Sequence, residues 1–296
     1  MATESRFADA KAITREVMAA ASRGGYDPAM ASVRDSAGDV LREWRQRRRF
    51  SQLDLAMEAE ISTRHLSFVE SGRASGSREM LLRLAENLDM PLRARNRLLV
   101  AGGYAPIFTE QPLDAPDMAA ARSAVEAVLK GHEPYPALAI DRHWTLVLAN
   151  AAIAPLLTGV DSALLAPPVN VLRLSLHPAG LAPRIENLGA WRRHLLDRLQ
   201  AQIADSGDPV LADLLVELRA YPSRAERQRP APAHPIAVPL RLRDPSNGAI
   251  WSFLSTTTVF GTPTDITLSE LALECFYPAD QETRAVLLAA QGNGIR

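Results

Sequence analysis

Between residues 62 and 73 the chain sets Ser62, Thr63, Arg64, His65, Ser67, Phe68 and Arg73 around apolar Leu66 and Val69. At helical spacing Leu66 and Val69 turn inward and the small, polar and basic side chains face out. Those outward types suit DNA. A guanidinium such as Arg64 can pair bidentately with guanine, and a Thr methyl or the edge of Phe68 can touch a thymine methyl. His65 and Arg73 suit phosphates. Gln52, at the start of the preceding helix, can hold a phosphate together with backbone amides. The expected chemistry is base reading by the second helix of a helix-turn-helix in the major groove. A helical hairpin with no DNA role would have little reason to expose such a face.

Local capping patterns predict the elements that place this face. Ser51 is a good N-cap, Asp54 completes a capping box, and Phe50 and Leu55 occupy the hydrophobic-staple positions. Ile61, Ser62 and Leu66 repeat the pattern, which forces two short helices with a turn between them. Gly72 ends the second helix. Upstream, a helix over residues 38–49 turns Val40, Leu41 and Trp44 inward. Downstream, Ser77 caps residues 78–88, with Met80, Leu81, Leu84 and Leu88 inward. Pro91 suits the first turn of a fifth helix ending at Gly102-Gly103. Residues 37–106 thus read as an all-α five-helix domain.

That segment holds 12 Arg and no Lys against 9 acids, with the densest run at residues 42–49. Phosphate binding needs such a patch, but most charge runs are solvated helix faces. The whole chain, at net charge −1, is no polycation. Its 296 residues, 47% of them hydrophobic, allow two domains. The single cysteine, Cys275, permits no intrachain disulfide and reads as a small buried residue. The first residues lack the apolar core of a signal peptide. The longest apolar run, residues 144–157, is broken by Asn150 and Pro155 and falls short of the ~20 residues a bilayer requires. A cytoplasmic protein without a membrane partner is expected.

Residues 1–35 read as an accessory arm, in which Phe7, Lys11, Thr14 and Met18 fall on one side of a helix stopped by Gly24-Gly25. Residues 107–118 read as a loose linker. Residues 119–285 form a second domain, followed by a tail at 286–296. Within that domain a helix over 118–130 precedes a hairpin of two strand-like runs, 137–140 and 144–149. Helices follow at 150–157, around Leu188, Trp191, Leu195 and Leu199, and after the cap Asp208-Pro209. A Pro- and Arg-rich stretch, 221–235, is expected to be exposed. Strands return at 236–243 and 250–260, and a last one at 265–275. The order predicts an α+β domain, an antiparallel sheet with helices on one face. Signatures of an enzyme are missing: no phosphate loop, metal-ligand spacing or nucleophile elbow appears. Asp141 and His143 fall in a hairpin turn, where a solvated role is favoured over a dyad.

Residues 51–73, with Ser51-Gln52, Leu55-Ala56 and a final Glu70-x-Gly72-Arg73, resemble the phage-repressor-like helix-turn-helix family. The strings STRHLSFVESGR, SREMLLRLAENLDMPLRARNRLLVAGGYAP, NVLRLSLHPAGLAPRIENLGAWRRHLLDRL and STTTVFGTPTDITLSELALECFYPAD resemble a narrower group, the MmyB-like transcription regulators. The likeness runs over residues 37–285. Two departures are Glu60, where a turn glycine is usual, and Ala74-Ser75-Gly76, where relatives tend to carry a proline. The resemblance implies a regulator with a PAS-like ligand-binding domain. It implies a pocket rim drawn from Asn170, Arg173, His177, Trp191 and His194, joined by Thr257 and Phe260. Arg173 or His177 would pair with a ligand carboxylate. The ligand would be small and partly apolar, even fatty-acid-like, with no other cofactor. Half-site logic adds a homodimer on double-stranded DNA. The rivals are an antitoxin-like protein that uses the helix-turn-helix for autoregulation, and an enzyme with an appended DNA reader.

Overall fold

A computed structural model describes residues 35–222 and 237–292. The expected N-terminal arm and nearly all of the Pro- and Arg-rich stretch lie outside them.

The first five helices are α1 (Ala37–Arg47), α2 (Gln52–Glu58), α3 (Thr63–Glu70), α4 (Arg78–Asn87) and α5 (Leu92–Ala101). Short-range hydrogen bonds start four of them. Ser51 and Asp54 form the expected capping box, and the hydroxyls of Ser62 and Ser77 accept from the amides of His65 and Met80. A second capping box, Ser36 with Asp39, opens α1. Pro91 stands at the cap of α5 rather than in its first turn. Leu41, Leu55, Leu66, Leu81, Leu84, Leu98 and Leu99 are wholly buried in one core. Glu60 takes a left-handed backbone, φ 53°, in the turn between α2 and α3. Gly38 brings α1 against α3: a Cβ there would lie 2.6 Å from the carbonyl oxygens of both Val69 and Glu70.

The second half contains α6 (Ala119–Gly131), β1 (Ala137–Ile140), β2 (Leu146–Ala149), α7 (Ser162–Leu165), α8 (Val171–Leu176), α9 (Leu188–Ser206), α10 (Pro209–Ala220), β3 (Leu240–Arg243), β4 (Ile250–Val259), α11 (Ile266–Ser269), β5 (Ala272–Pro278) and α12 (Gln281–Gly292). The five strands form one antiparallel sheet in the order β2-β1-β5-β4-β3. Strand alternation divides it into two packed faces. Leu273 and Cys275 of β5 pack with Val125 and Leu129 of α6, whereas Ala272 and Phe276 pack into the core that holds α9 and α10. Helices therefore cover both faces, not one.

Three local expectations change. Residues 150–157 form a 3-10 helix, Ala151–Leu157, with Pro155 inside it. The expected strand over 265–275 begins as α11, because the Asp265 carboxylate accepts the amides of Thr267 and Leu268 and caps a helical turn. The strand follows and runs on to Pro278. The supposed loose linker is pinned at several points. Asn96 accepts the amides of Ile107 and Phe108 and donates to the Phe108 carbonyl. Thr109 donates to Asp265, and Leu113 and Met118 are buried.

Gly38→Ala tests the α1–α3 approach. The methyl group meets backbone rather than movable side chains, so the variant should lose about 1–3 kcal/mol of stability in urea unfolding. An unchanged midpoint would show that the helices can separate freely.

Candidate functional site

Glu70, the last residue of α3, carries a carboxylate that is almost entirely buried, with the residue 2% exposed. Two other helices converge on it. Arg45 of α1 donates through Nε at 2.6 Å to one oxygen and through Nη2 at 2.9 Å to the other. Gln52 of α2 donates Nε2 at 2.8 Å. Arg42 of α1 donates to the Glu70 carbonyl at 2.6 Å, and Arg45 also ties down the Phe50 carbonyl. Burial pushes the Glu70 carboxyl up, but the hydrogen bonds from Arg45 and Gln52 and the charges of Arg45 and Arg42 outweigh it, so it stays below its ordinary range. The same hydrogen bonds hold Arg45 above its usual value.

This cluster presents the outer face of α3. Ser62, Arg64 and Arg73 are exposed, and Thr63, His65, Ser67 and Phe68 are half-buried. The Arg64 guanidinium lies over the Phe68 ring at 5.3 Å. Arg64 and Arg73 pair with no acid among the described residues. Ser62 spends its hydroxyl on the α3 cap. Gln52 has its amide nitrogen on Glu70, which leaves its carbonyl oxygen for other partners.

Sequence reading missed Glu70, Arg45 and Arg42 as positioning residues. It saw the basic run as a patch. In fact Arg42 and Arg45 grip Glu70, while Arg47 and Arg48 reach α9 through the Ile203 carbonyl and the Asp205 carboxylate. The three-residue spacing of Arg42 and Arg45 on one helix was the available signal.

The proposed pocket rim divides among separate clusters. Asn170 caps α8, accepting the amides of Leu172 and Arg173 and donating to the His143 carbonyl. Arg173 pairs with Glu217 of α10, at 2.9 Å from Nε and 2.7 Å from Nη2. Tyr221 also donates to Glu217, and the His177 ring stands edge-on to Tyr221 at 5.0 Å. Burial and Glu217 push the Tyr221 phenol up to about 12. Trp191 is buried and donates to the Ser175 hydroxyl, with His194 beside it at 5.5 Å. Burial, then the charge of Arg198, lowers the His194 pKa. Thr257 bonds Glu274 and Arg198 on this same face of the sheet. Phe260 packs on the opposite face, with the α6 cluster. Two open clefts, each about 360 Å³, are lined by none of the seven expected rim residues.

Asp141 and His143 form no dyad. Asp141 accepts the amides of His143 and Thr145, and the His143 ring bonds Asp208 at 2.9 Å. Burial pushes the Asp208 carboxyl up, but His143 and its other partners bring it below the usual range. Among the described residues no cluster of His, Cys, Asp and Glu can hold a metal, and no helix is long and apolar enough to cross a membrane.

A capped helix pair with an outward polar helix, joined to a helix-covered antiparallel sheet, defines a DNA reader fused to an α+β domain. Two family models match the chain: a helix-turn-helix domain over residues 36–98, and the MmyB-like transcription regulator ligand binding domain over residues 121–289. The second spans more than half of the chain, which belongs to the MmyB-like transcription regulators. It is a DNA-binding transcription regulator, and both matched families are regulatory rather than enzymatic. No curated protein matches the chain.

Glu70→Gln leaves the Arg45 charge in a largely buried site without its partner. Stability should fall by about 3–5 kcal/mol in chemical denaturation. Because folding depresses the Glu70 pKa, its contribution is complete above the unfolded carboxyl's range and is lost as pH falls through the folded value. The wild type should lose this stability only in acid, and Glu70→Gln should lack that part of the acid transition. A variant with wild-type stability at neutral pH would remove Glu70 from its central role.

Proposed function

We propose that this regulator binds a specific operator as a homodimer, with α3 in the major groove and Arg64, Thr63, Ser67 and Phe68 at the base edges. Residues 37–106 form the reader, and residues 119–285 form a PAS-like sensor for a small, partly apolar ligand. The observation that carries the reading is α3 itself, clamped from behind through Glu70 while its outer face stays open, with Arg64 on it and Arg73 just after it lacking acidic partners among the described residues. Ser62, His65, Gln52 and Arg73 take the phosphate and helix-start contacts. The strand order β2-β1-β5-β4-β3 supports the PAS-like reading. A ligand carboxylate at Arg173 must compete with Glu217. Both side chains of that pair are more than a third exposed, and such pairs contribute only about 0–1 kcal/mol. The ligand changes operator affinity only through unequal affinities for two protein states.

Selection from a random DNA library tests the reader. Arg64→Ala should weaken binding to the selected site by about 1–3 kcal/mol and relax one base position. An equal loss on random DNA would make Arg64 a phosphate contact. Native mass spectrometry of the full chain tests the sensor, with a co-purifying small amphipathic molecule expected. A chain that carries none, and takes up none from a panel of acids of increasing chain length, would leave the domain without its ligand role.

A further inference from the structure

One edge of the sheet is closed and the other is half open. At the β2 edge the Leu146 amide donates to the Val169 carbonyl, and Thr145 bridges Asn170. At the opposite edge β3 is four residues long and β4 is ten, so Leu240–Arg243 cover only residues 250–253. Among the described residues, 254–259 are paired on the β5 side alone. The Ser252 carbonyl accepts the Ala279 amide on that side, so alternation turns the backbone groups of Phe253, Ser255, Thr257 and Val259 away from β5. Those of Phe253 meet β3. Ser255 is half-buried, whereas Thr257 and Val259 are exposed, and their backbone groups take no partner across this edge among the described residues.

Free strand edges invite pairing, and they are usually guarded by charge, proline or a bulge. This one carries no guard. Residues 254–259 read Leu-Ser-Thr-Thr-Thr-Val, without a charge or a proline, and four of the six are β-branched, which favours a strand. Their register against β5 runs without a shift. Such a segment offers nothing to attract a nucleic acid or a charged protein, but it is complementary to itself. Two copies laid antiparallel place Thr257 of each opposite Val259 of the other, exchange four N–H···O=C bonds, and put Thr258 opposite Thr258 on a two-fold axis. The axis gathers no unpaired charge, because Arg198, which bonds the Thr257 hydroxyl, is paired with Glu274 of its own chain. The segment 223–236, outside the described residues, suits the edge less well, since Pro230, Pro232 and Pro235 lack the N–H that a strand donates.

We propose that this chain dimerises through the open edge of β4, which joins the five-stranded sheets of two copies into one. The proposal rests on the homodimer reading and gives that dimer its surface. The interface uses no residue of α3, which leaves the outer face of that helix in each copy for DNA. Six residues a side fall short of the ~20–30 of a standard interface. The free dimer is therefore weak, and a shared operator strengthens it by holding both copies together.

Disulfide trapping in the full chain tests the edge. The native Cys275 is buried, and Thr258 is exposed. In the proposed pair the two Thr258 Cα atoms stand about 4.5 Å apart, within reach of a disulfide. Thr258→Cys should therefore give a covalent dimer under mild oxidation, at a concentration where Val216→Cys, at a 69% exposed position on α10, stays monomeric. Sedimentation velocity supplies a second measure. Val259→Pro removes an N–H that faces outward, so it should keep the wild-type thermal melt and raise the dimer Kd about tenfold or more. Val259→Thr, which keeps the N–H, should leave the Kd unchanged. Equal cross-linking of the two cysteine variants, or a Val259→Pro dimer as tight as the wild type, overturns the interface. Cross-linking that appears only when residues 223–236 are replaced by a Gly/Ser linker of equal length overturns it in favour of that segment. A dimer indifferent to Val259→Pro leaves the homodimer reading standing on another surface, whereas a wild-type chain that sediments as a monomer with and without the selected DNA ends both.

Discussion

A buried carboxylate is tolerated only when its charge and its lone pairs are met. Glu70 meets that demand with donors from two other helices, so it can be satisfied in one relative placement of α1, α2 and α3. The apolar core does not discriminate so finely. Leu55, Leu66, Leu81 and Leu84 gain the same transfer free energy in any arrangement that buries them. A small slide of α3 would keep most of that burial, yet it would break the paired bonds from Arg45 and the bond from Gln52. The direction of the outer face of α3 is thus fixed by a polar contact at its C-terminal end, while the leucines supply the bulk of the driving force.

The same helix serves two sites. Arg42 and Arg45 point toward α3, and two residues farther on Arg47 and Arg48 point toward the end of α9. Gly207, the left-handed residue after α9, leaves room for this contact: a Cβ there would lie 2.0 Å from the Arg47 guanidinium. A run of arginines that looked like a phosphate patch is mostly internal wiring, while Arg64 on α3 and Arg73 just after it pair with no acid among the described residues.

What was legible in the sequence follows the range of the forces involved. Ser51, Ser62 and Ser77 bond amides three residues away, so helix starts could be read locally. The inward leucines follow from periodicity. Glu70 lies 25 residues from Arg45 and 18 from Gln52, and nothing local marks them as partners. Asp265 misled because Ile266 and Leu268 alternate with polar residues as in a strand, while its carboxylate caps a single helical turn. The pocket rim was the least legible part. Arg173 looks like an anion site until Glu217, 44 residues away, occupies it. The division of the sheet into two packed faces likewise depends on strand pairing that no short window contains.

The two domains do not share an apolar core. Among the described residues the reader's buried cluster ends at Leu99, with Tyr104 packed on it, and the clusters of the other domain begin at Leu113. What joins them is polar: Arg48 with Asp205, Arg93 with Glu270, and Arg47 on a helix-end carbonyl, backed by the pinned linker. An exposed pair such as Arg48–Asp205 contributes about 0–1 kcal/mol, whereas Arg93, held by two bonds to Glu270 and bonded also to Glu110, is less exposed and ties the domains more firmly. That matters for any regulator that answers to a ligand, because allosteric coupling is itself only about 1–3 kcal/mol. A fused hydrophobic interface would be too deep for such a coupling to open. Because Glu70 locks the reader internally, the geometry of the outer face of α3 does not depend on these polar contacts between the domains.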